Sequence, residues 1–332
     1  MTLAVSAYSI LTILLGSQAT LWTAESHDQT RIAGMREAFG LIGLITAVSM
    51  PVILKAFVQE NQVYLWYCSA LGILMTIGLY GFTATSAKIQ TINAGKKLRE
   101  PVSWNNLLSL PKGMLRLLVV YGISMLGSSI PAVLVIFYVR DLLNAEHLTG
   151  IFLLVYFLSG AFAMPVWNNL SVRLGKYKTW FTSSLVAVLG FTGAFFLEAG
   201  DVIPFGTMCM ISGLALGADL SLPPSILADQ VHACGRQSFS GTYYAFLAFV
   251  TKVSLAIASA IALPALDIAG FKPKAVNDNE ALLALSVAYA LVPCILKLMA
   301  AGLLYVLFIR SNPGGNYETI QTDCNCGGSY HA

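Results

Sequence analysis

Read from its first residue, the chain alternates long apolar runs with short polar breaks. The runs cover approximately Leu3–Thr23, Ala38–Phe57, Val63–Ser86, Met114–Val139, Thr149–Val172, Thr179–Leu197, Ile203–Leu227, Gly241–Leu263 and Ala281–Ile309. Each is about 20 residues or longer, the length an α-helix needs to cross hydrocarbon, and too long for a barrel strand of roughly 10. Backbone polar groups must be satisfied internally in a bilayer, so these runs predict transmembrane helices. The expectation is an all-α polytopic membrane protein with about nine transmembrane helices. The first run has no basic leader and no small-residue cleavage site, so it does not read as a signal peptide.

The longest break is Lys88–Lys112, rich in Lys, Asn and turn formers. It predicts a division into residues 1–87, a partial N-terminal bundle of three helices; 88–112, a central cytoplasmic loop; 113–310, a C-terminal six-helix bundle; and 311–332, a Gly/Asn/Ser-rich disordered tail. Composition agrees with a membrane protein. Hydrophobic residues make up 57 % of the chain and charged residues 11 %, where soluble domains carry about 25 % charge. Mean hydropathy is +0.73.

The net charge of +3 matters less than where the charges fall. With strict alternation of nine spans, one side holds only Lys55, Arg140, Lys272 and Lys274. Lys252 and Lys297 lie within spans, and the rest of the 19 lysines and arginines fall on the other side. The positive-inside rule makes that other side cytoplasmic, with the C-terminus inside and the N-terminus outside.

Ionisable residues at mid-membrane depth are functional candidates by default. Asp219 lies about ten residues, or roughly 15 Å, from the cytoplasmic end of its span. Lys252 and Lys297 lie at similar depth, so all three are expected to face a polar cavity or one another. A fixed structural ion pair between Asp219 and Lys252 is the competing reading. Pro223-Pro224 in the Asp219 span predicts either a helix break that exposes carbonyls or a simple kink. At the cytoplasmic ends, Glu25, Asp28, Arg31, Arg36 and Glu37 form one cluster, Asp229, His232 and Arg236 a second, and Arg173, Lys176 and Lys178 a third. Such charges can latch the inner mouth in one state and release it in another, or simply set topology. Gly34 and Gly43 frame a membrane boundary suited to close helix packing.

Enzyme and metal chemistry find little support. His27, His147, His232 and His331 lie in loops, at helix ends or in the tail, and there is no HExxH, Walker loop, GxSxG or CxxC. Cys324-Asn-Cys326 could hold a metal or belong to a solvated tail. No cofactor, resident metal or nucleic-acid partner is expected. The partners expected are the bilayer and a small-molecule solute.

The stretch Leu222–Pro273 resembles the penultimate-helix region of the glycoside–pentoside–hexuronide:cation symporters, the melibiose-carrier branch of the major facilitator superfamily. The resemblance rests on Pro223-Pro224, Ala228-Asp229, Gly241-Thr-Tyr-Tyr244, Lys252 and Gly270-Phe-Lys-Pro273. Thr30–Gly43 is similar to the family's turn after its fourth helix, and Asn168–Lys176 to a later cytoplasmic turn. The resemblance implies a major facilitator-type helical bundle of twelve helices, alternating access, and sugar or sugar-acid uptake at the plasma membrane driven by Na⁺ or H⁺. It implies that Lys252 lies near the sugar and cation sites and that Trp22 matches a cavity Trp. Gln18 stands where melibiose-type members carry an Asp, and Leu15 where they carry a hydroxyl. It also implies that the first run corresponds to the family's fourth helix, so that the first three are absent. The expected substrate-binding set is Gln18, Trp22, Asp219, Lys252 and Lys297. The expected cytoplasmic gate is Glu25, Arg31, Arg36, Arg173, Lys176, Asp229 and Arg236. An uncoupled uniporter or exporter and a non-transporting remnant are the alternatives.

Overall fold

The computed structural model describes residues 8–17, 23, 25–55, 57–59, 62–93, 110–275 and 277–310. Among them the helices run in order α1 (Tyr8–Ser17), α2 (Ser26–Lys55), α3 (Val63–Asn93), α4 (Lys112–Leu142), α5 (Thr149–Leu174), α6 (Lys176–Ala194), α7 (Val202–Ala233), α8 (Ser240–Ile268) and α9 (Asn279–Ile309). Every apolar run of the sequence thus meets a helix, and no strand occurs among the described residues. Seven of the helices are long and apolar enough to cross a membrane. The exceptions are α1, described over its apolar Tyr8–Ser17 stretch, and α6, whose 19 residues begin Lys-Tyr-Lys and carry the hydroxyls of Thr179, Thr182, Ser183 and Ser184 before Leu185.

Two boundaries differ from the sequence reading in ways that matter. Helix α2 begins at Ser26, well before the apolar run at Ala38, so Asp28, Arg31, Arg36 and Glu37 are helical rather than in a turn. Nothing between Ser26 and Ala38 breaks a helix, and Asp28 in the first turn favours the positive end of the helix dipole. Helix α7 runs unbroken through Pro223 and Pro224. The prolines leave the carbonyls of Asp219 and Leu220 without their usual intrahelical donors, but the helix continues for two further turns.

The chain divides into two compact units, Met1–Ala38 with Val102–Ala332, and Phe39–Pro101. In the first, α4 packs on α8 and α9, α5 and α6 pack on α7, and α6 also packs on α9. Helix–helix approach is closest on a glycine face of α7. A Cβ at Gly213 would stand 2.3 Å from the Tyr156 carbonyl oxygen, and one at Gly217 would stand 2.5 Å from that of Gly160. Small residues at i and i+4 let helix backbones meet in a bilayer, where lipid offers no hydrophobic drive for association. One apolar cluster gathers around Trp180, Leu222 and Tyr243. Another gathers around Tyr138, Phe205 and Tyr289, with the Tyr138 and Tyr289 rings stacked 4.1 Å apart. Tyr289 sits in a π-helical turn, Val287–Leu291, within α9.

The second unit holds the rest of α2 and α3. Its side chains are apolar and exposed on every face, Val48, Ile73, Met75 and Tyr80 among them. That pattern marks a helix whose solvent is hydrocarbon. Several of its hydroxyls bond back to their own helix: Thr46 to the Ile42 carbonyl, Ser69 to Leu65 and Thr76 to Gly72. Those three hydroxyls need no partner in lipid.

Candidate functional site

A polar junction joins α2, α6 and α7 at the Lys/Arg-rich end of the first unit. Gly175, with φ of 83°, makes the turn that lets α6 start at Lys176 directly after α5 ends at Leu174. A left-handed residue there is easy only for glycine. Lys176 Nζ lies 2.6 Å from Asp229 Oδ2 on α7 and donates to the Ser225 carbonyl at 3.3 Å. Ser26 on α2 donates to the same Asp229 oxygen at 2.9 Å. One turn along each helix, the Thr30 and Ser225 hydroxyls lie 2.7 Å apart. Asp229 Oδ1 is buried without a hydrogen-bond partner. Burial pulls the Lys176 ammonium below its ordinary value and Asp229 pulls it back up.

Of the residues expected at a gate, the fold therefore brings Lys176 and Asp229 together. Arg36 pairs with its neighbour Glu37 at 2.5 Å. Arg236 donates to the Tyr243 hydroxyl at 3.2 Å. Glu25, Arg31 and Arg173 are exposed. Ser26, Thr30 and Ser225 went unrecognised in the sequence. The signal was there: Ser26/Thr30 and Ser225/Asp229 are both i, i+4 pairs, each presenting one polar face of a helix.

At mid-span a second polar cluster lies among α4, α6, α7 and α9. Asp219 Oδ2 and Lys297 Nζ are 2.5 Å apart. Lys297 also donates to Ser124 Oγ on α4 at 2.9 Å. Trp180 Nε1 on α6 donates to Asp219 Oδ1 at 2.9 Å, and Ser124 reaches the same oxygen at 3.5 Å. Four helices thus contribute to one network, with Asp219 3 % and Lys297 0 % exposed. Of the two expected arrangements, facing a polar cavity or facing one another, these two residues adopt the second, in the bundle interior.

Lys252 does not pair with Asp219. Its Nζ donates to Ser9 Oγ on α1. The buried stripe of α8 runs Ser240, Tyr244, Leu247, Ser254, Ala258 and Ala262, and Lys252 is off it and exposed. No carboxylate pairs with Lys252 among the described residues. Its neighbour Thr251 meets the Tyr121 hydroxyl of α4 at 2.8 Å. Gln18 and Trp22 lie outside the described residues.

Residues 1–311 match the family model described as MFS/sugar transport protein. The chain is 24 % identical over 310 residues to the glucuronide carrier protein homolog of Escherichia coli (strain K12), a match covering 88 % of this chain and 65 % of that relative. The chain thus spans about two thirds of the relative's length. Among solved structures it is similar to a bacterial homologue of the iron transporter ferroportin in an outward-facing state. That similarity has a TM-score of 0.55 and 17 % identity, covering 89 % of this chain and 69 % of the other. At that identity the likeness is one of fold.

Proposed function

The chain belongs to the MFS/sugar transport family, and on that premise we propose that it is a secondary transporter carrying a carboxylate-bearing sugar by alternating access. One observation carries this reading. Lys252 places an ammonium about midway along an apolar span, bonded to a neutral hydroxyl and paired with no carboxylate among the described residues. A charge at that depth is costly unless a partner compensates it. A hexuronide-type carboxylate supplies the missing partner, and the name of the curated relative, a glucuronide carrier homolog, points to the same substrate class. Substrate binding then favours whichever conformation lets the carboxylate reach Lys252, since a ligand shifts an equilibrium only by its differential affinity. Gln18 and Trp22, on the resemblance of their positions, contribute hydroxyl contacts and a ring face to the sugar. Asp219 and Lys297 hold the wall behind the site rather than the substrate itself.

The Lys176–Asp229–Ser26 junction serves as the cytoplasmic latch in this mechanism. It ties α2 to α6 and α7 through a few polar contacts that can break together, the form of a two-state element. Coupling is to Na⁺ or H⁺, in the plasma membrane, with the C-terminus cytoplasmic. The test is uptake of a labelled glucuronide into proteoliposomes under a Na⁺ gradient, a proton gradient or neither. Concentrative uptake under one gradient, lost in Lys252→Ala, is the expected result. Equal flux under all three conditions selects an uncoupled uniporter or exporter instead. No glucuronide flux from folded protein overturns the substrate assignment.

A further inference from the structure

At the Lys/Arg-rich end, α2 and α5 enclose a cavity of about 290 Å³. Its lining is polar at His27 and Arg31 from α2 and at Asn168 from α5, and apolar at Met35, Met164 and Pro165. The volume is at the lower end for a small-molecule site.

Three features point to an occupant. Arg31 is exposed and has no hydrogen-bond or ion-pair partner among the described residues, whereas His27 already faces Asp28 at 3.7 Å. The fixed positive charge of the cavity is therefore Arg31's. Asn168 Oδ1 is buried and accepts no hydrogen bond, an arrangement that costs about 1–3 kcal/mol if left so. The amide is held there by close packing: a Cβ on Gly34 would stand 2.4 Å from Asn168 Nδ2, so only glycine lets the amide lie on the α2 backbone. Finally, Met35 is 51 % exposed, so the apolar wall opens outward from the bundle.

We propose that this cavity binds the head group of an anionic, hydroxyl-bearing phospholipid of the phosphatidylglycerol type. Arg31 takes the phosphate through its N–H fork. A head-group hydroxyl donates to Asn168 Oδ1. The acyl chains leave along the exposed Met35 and Pro165 into the bilayer. Basic pockets between spans at the membrane surface are a recurrent home for anionic head groups. Inorganic phosphate would satisfy Arg31 but leave the apolar wall wet, and a phosphocholine head group has no donor for Asn168. The inference does not depend on the transported substrate.

Native mass spectrometry of the purified full chain, titrated with phosphatidylglycerol or phosphatidylcholine, tests it. Phosphatidylglycerol should be bound about tenfold more tightly. The preference should vanish in Arg31→Ala, which removes an exposed side chain, and in Met35→Trp, which fills the cavity from its exposed edge. Equal binding of the two lipids to the unmodified chain overturns the proposal. So does an undiminished preference in both variants, or displacement of phosphatidylglycerol by millimolar inorganic phosphate alone.

Discussion

Lys297 Nζ lies 2.5 Å from Asp219 Oδ2, and both side chains are sealed inside the bundle with Ser124 and Trp180 as their further partners. Taking two charges out of solvent is costly, and their attraction offsets that cost only when the remaining polar atoms are also bonded. Each oxygen of Asp219 has a donor here. The network therefore pins α4, α6, α7 and α9 in one register.

Removing one partner should be far worse than removing both. Lys297→Met is expected to destabilise the protein by about 3–5 kcal/mol, because it leaves Asp219 charged and buried. Asp219→Leu combined with Lys297→Met should recover most of that loss. Unfolding in mild detergent, followed through a double-mutant cycle, measures the difference. Additive single losses would count against the pairing.

The latch makes a different prediction, since Lys176 and Asp229 are only partly exposed, at 10 % and 15 %. A cycle over Lys176→Gln and Asp229→Asn should give a coupling of about 0.5–3 kcal/mol. Both variants should also speed alkylation of a cysteine introduced at Ser225, which Thr30 covers in the structure. Unchanged labelling would show that the junction does not close that end.

Gly213 permits a contact that no other residue permits. Its Cβ would fall 2.3 Å from the Tyr156 carbonyl oxygen, a backbone atom that cannot swing aside. Gly213→Val should cost about 1–3 kcal/mol by overpacking. Gly302, with open space around its Cβ position, is the control: Gly302→Ala should leave the thermal transition unchanged or slightly raised.

Lys252 separates charge recognition from other effects. Lys252→Gln keeps a hydrogen-bond donor but removes the charge. It should weaken carboxylated-sugar uptake by roughly 30- to 5000-fold, in line with about 2–5 kcal/mol for a buried charge pair deprived of one member, while Lys252→Arg retains part of it. Initial uptake rates against sugar concentration report the change, and equal rates in all three forms would remove Lys252 from the site.

The spans, their order and the depth of their charged residues were legible from hydropathy alone. A run of 20 or more apolar residues has only a helix available to it in hydrocarbon. The helical periodicity was also visible on α2 and α7, where Ser26/Thr30 and Ser225/Asp229 stand at i, i+4. Which face looks at which helix was not. Asp219, Lys252 and Lys297 share a depth, so linear distance from the helix ends cannot separate them. A helix turns about 100° per residue, and that rotation puts Thr251 against Tyr121 and Lys252 against Ser9. Only packing, set by glycines such as Gly213 and Gly217 that let backbones touch, decided that Asp219 meets Lys297. Sequence determined that this chain is a set of membrane-spanning helices with three charges at a shared depth. Tertiary structure decided which charges neutralise one another and which remain available, because that choice depends on the rotation and spacing of whole helices rather than on the order of residues within one.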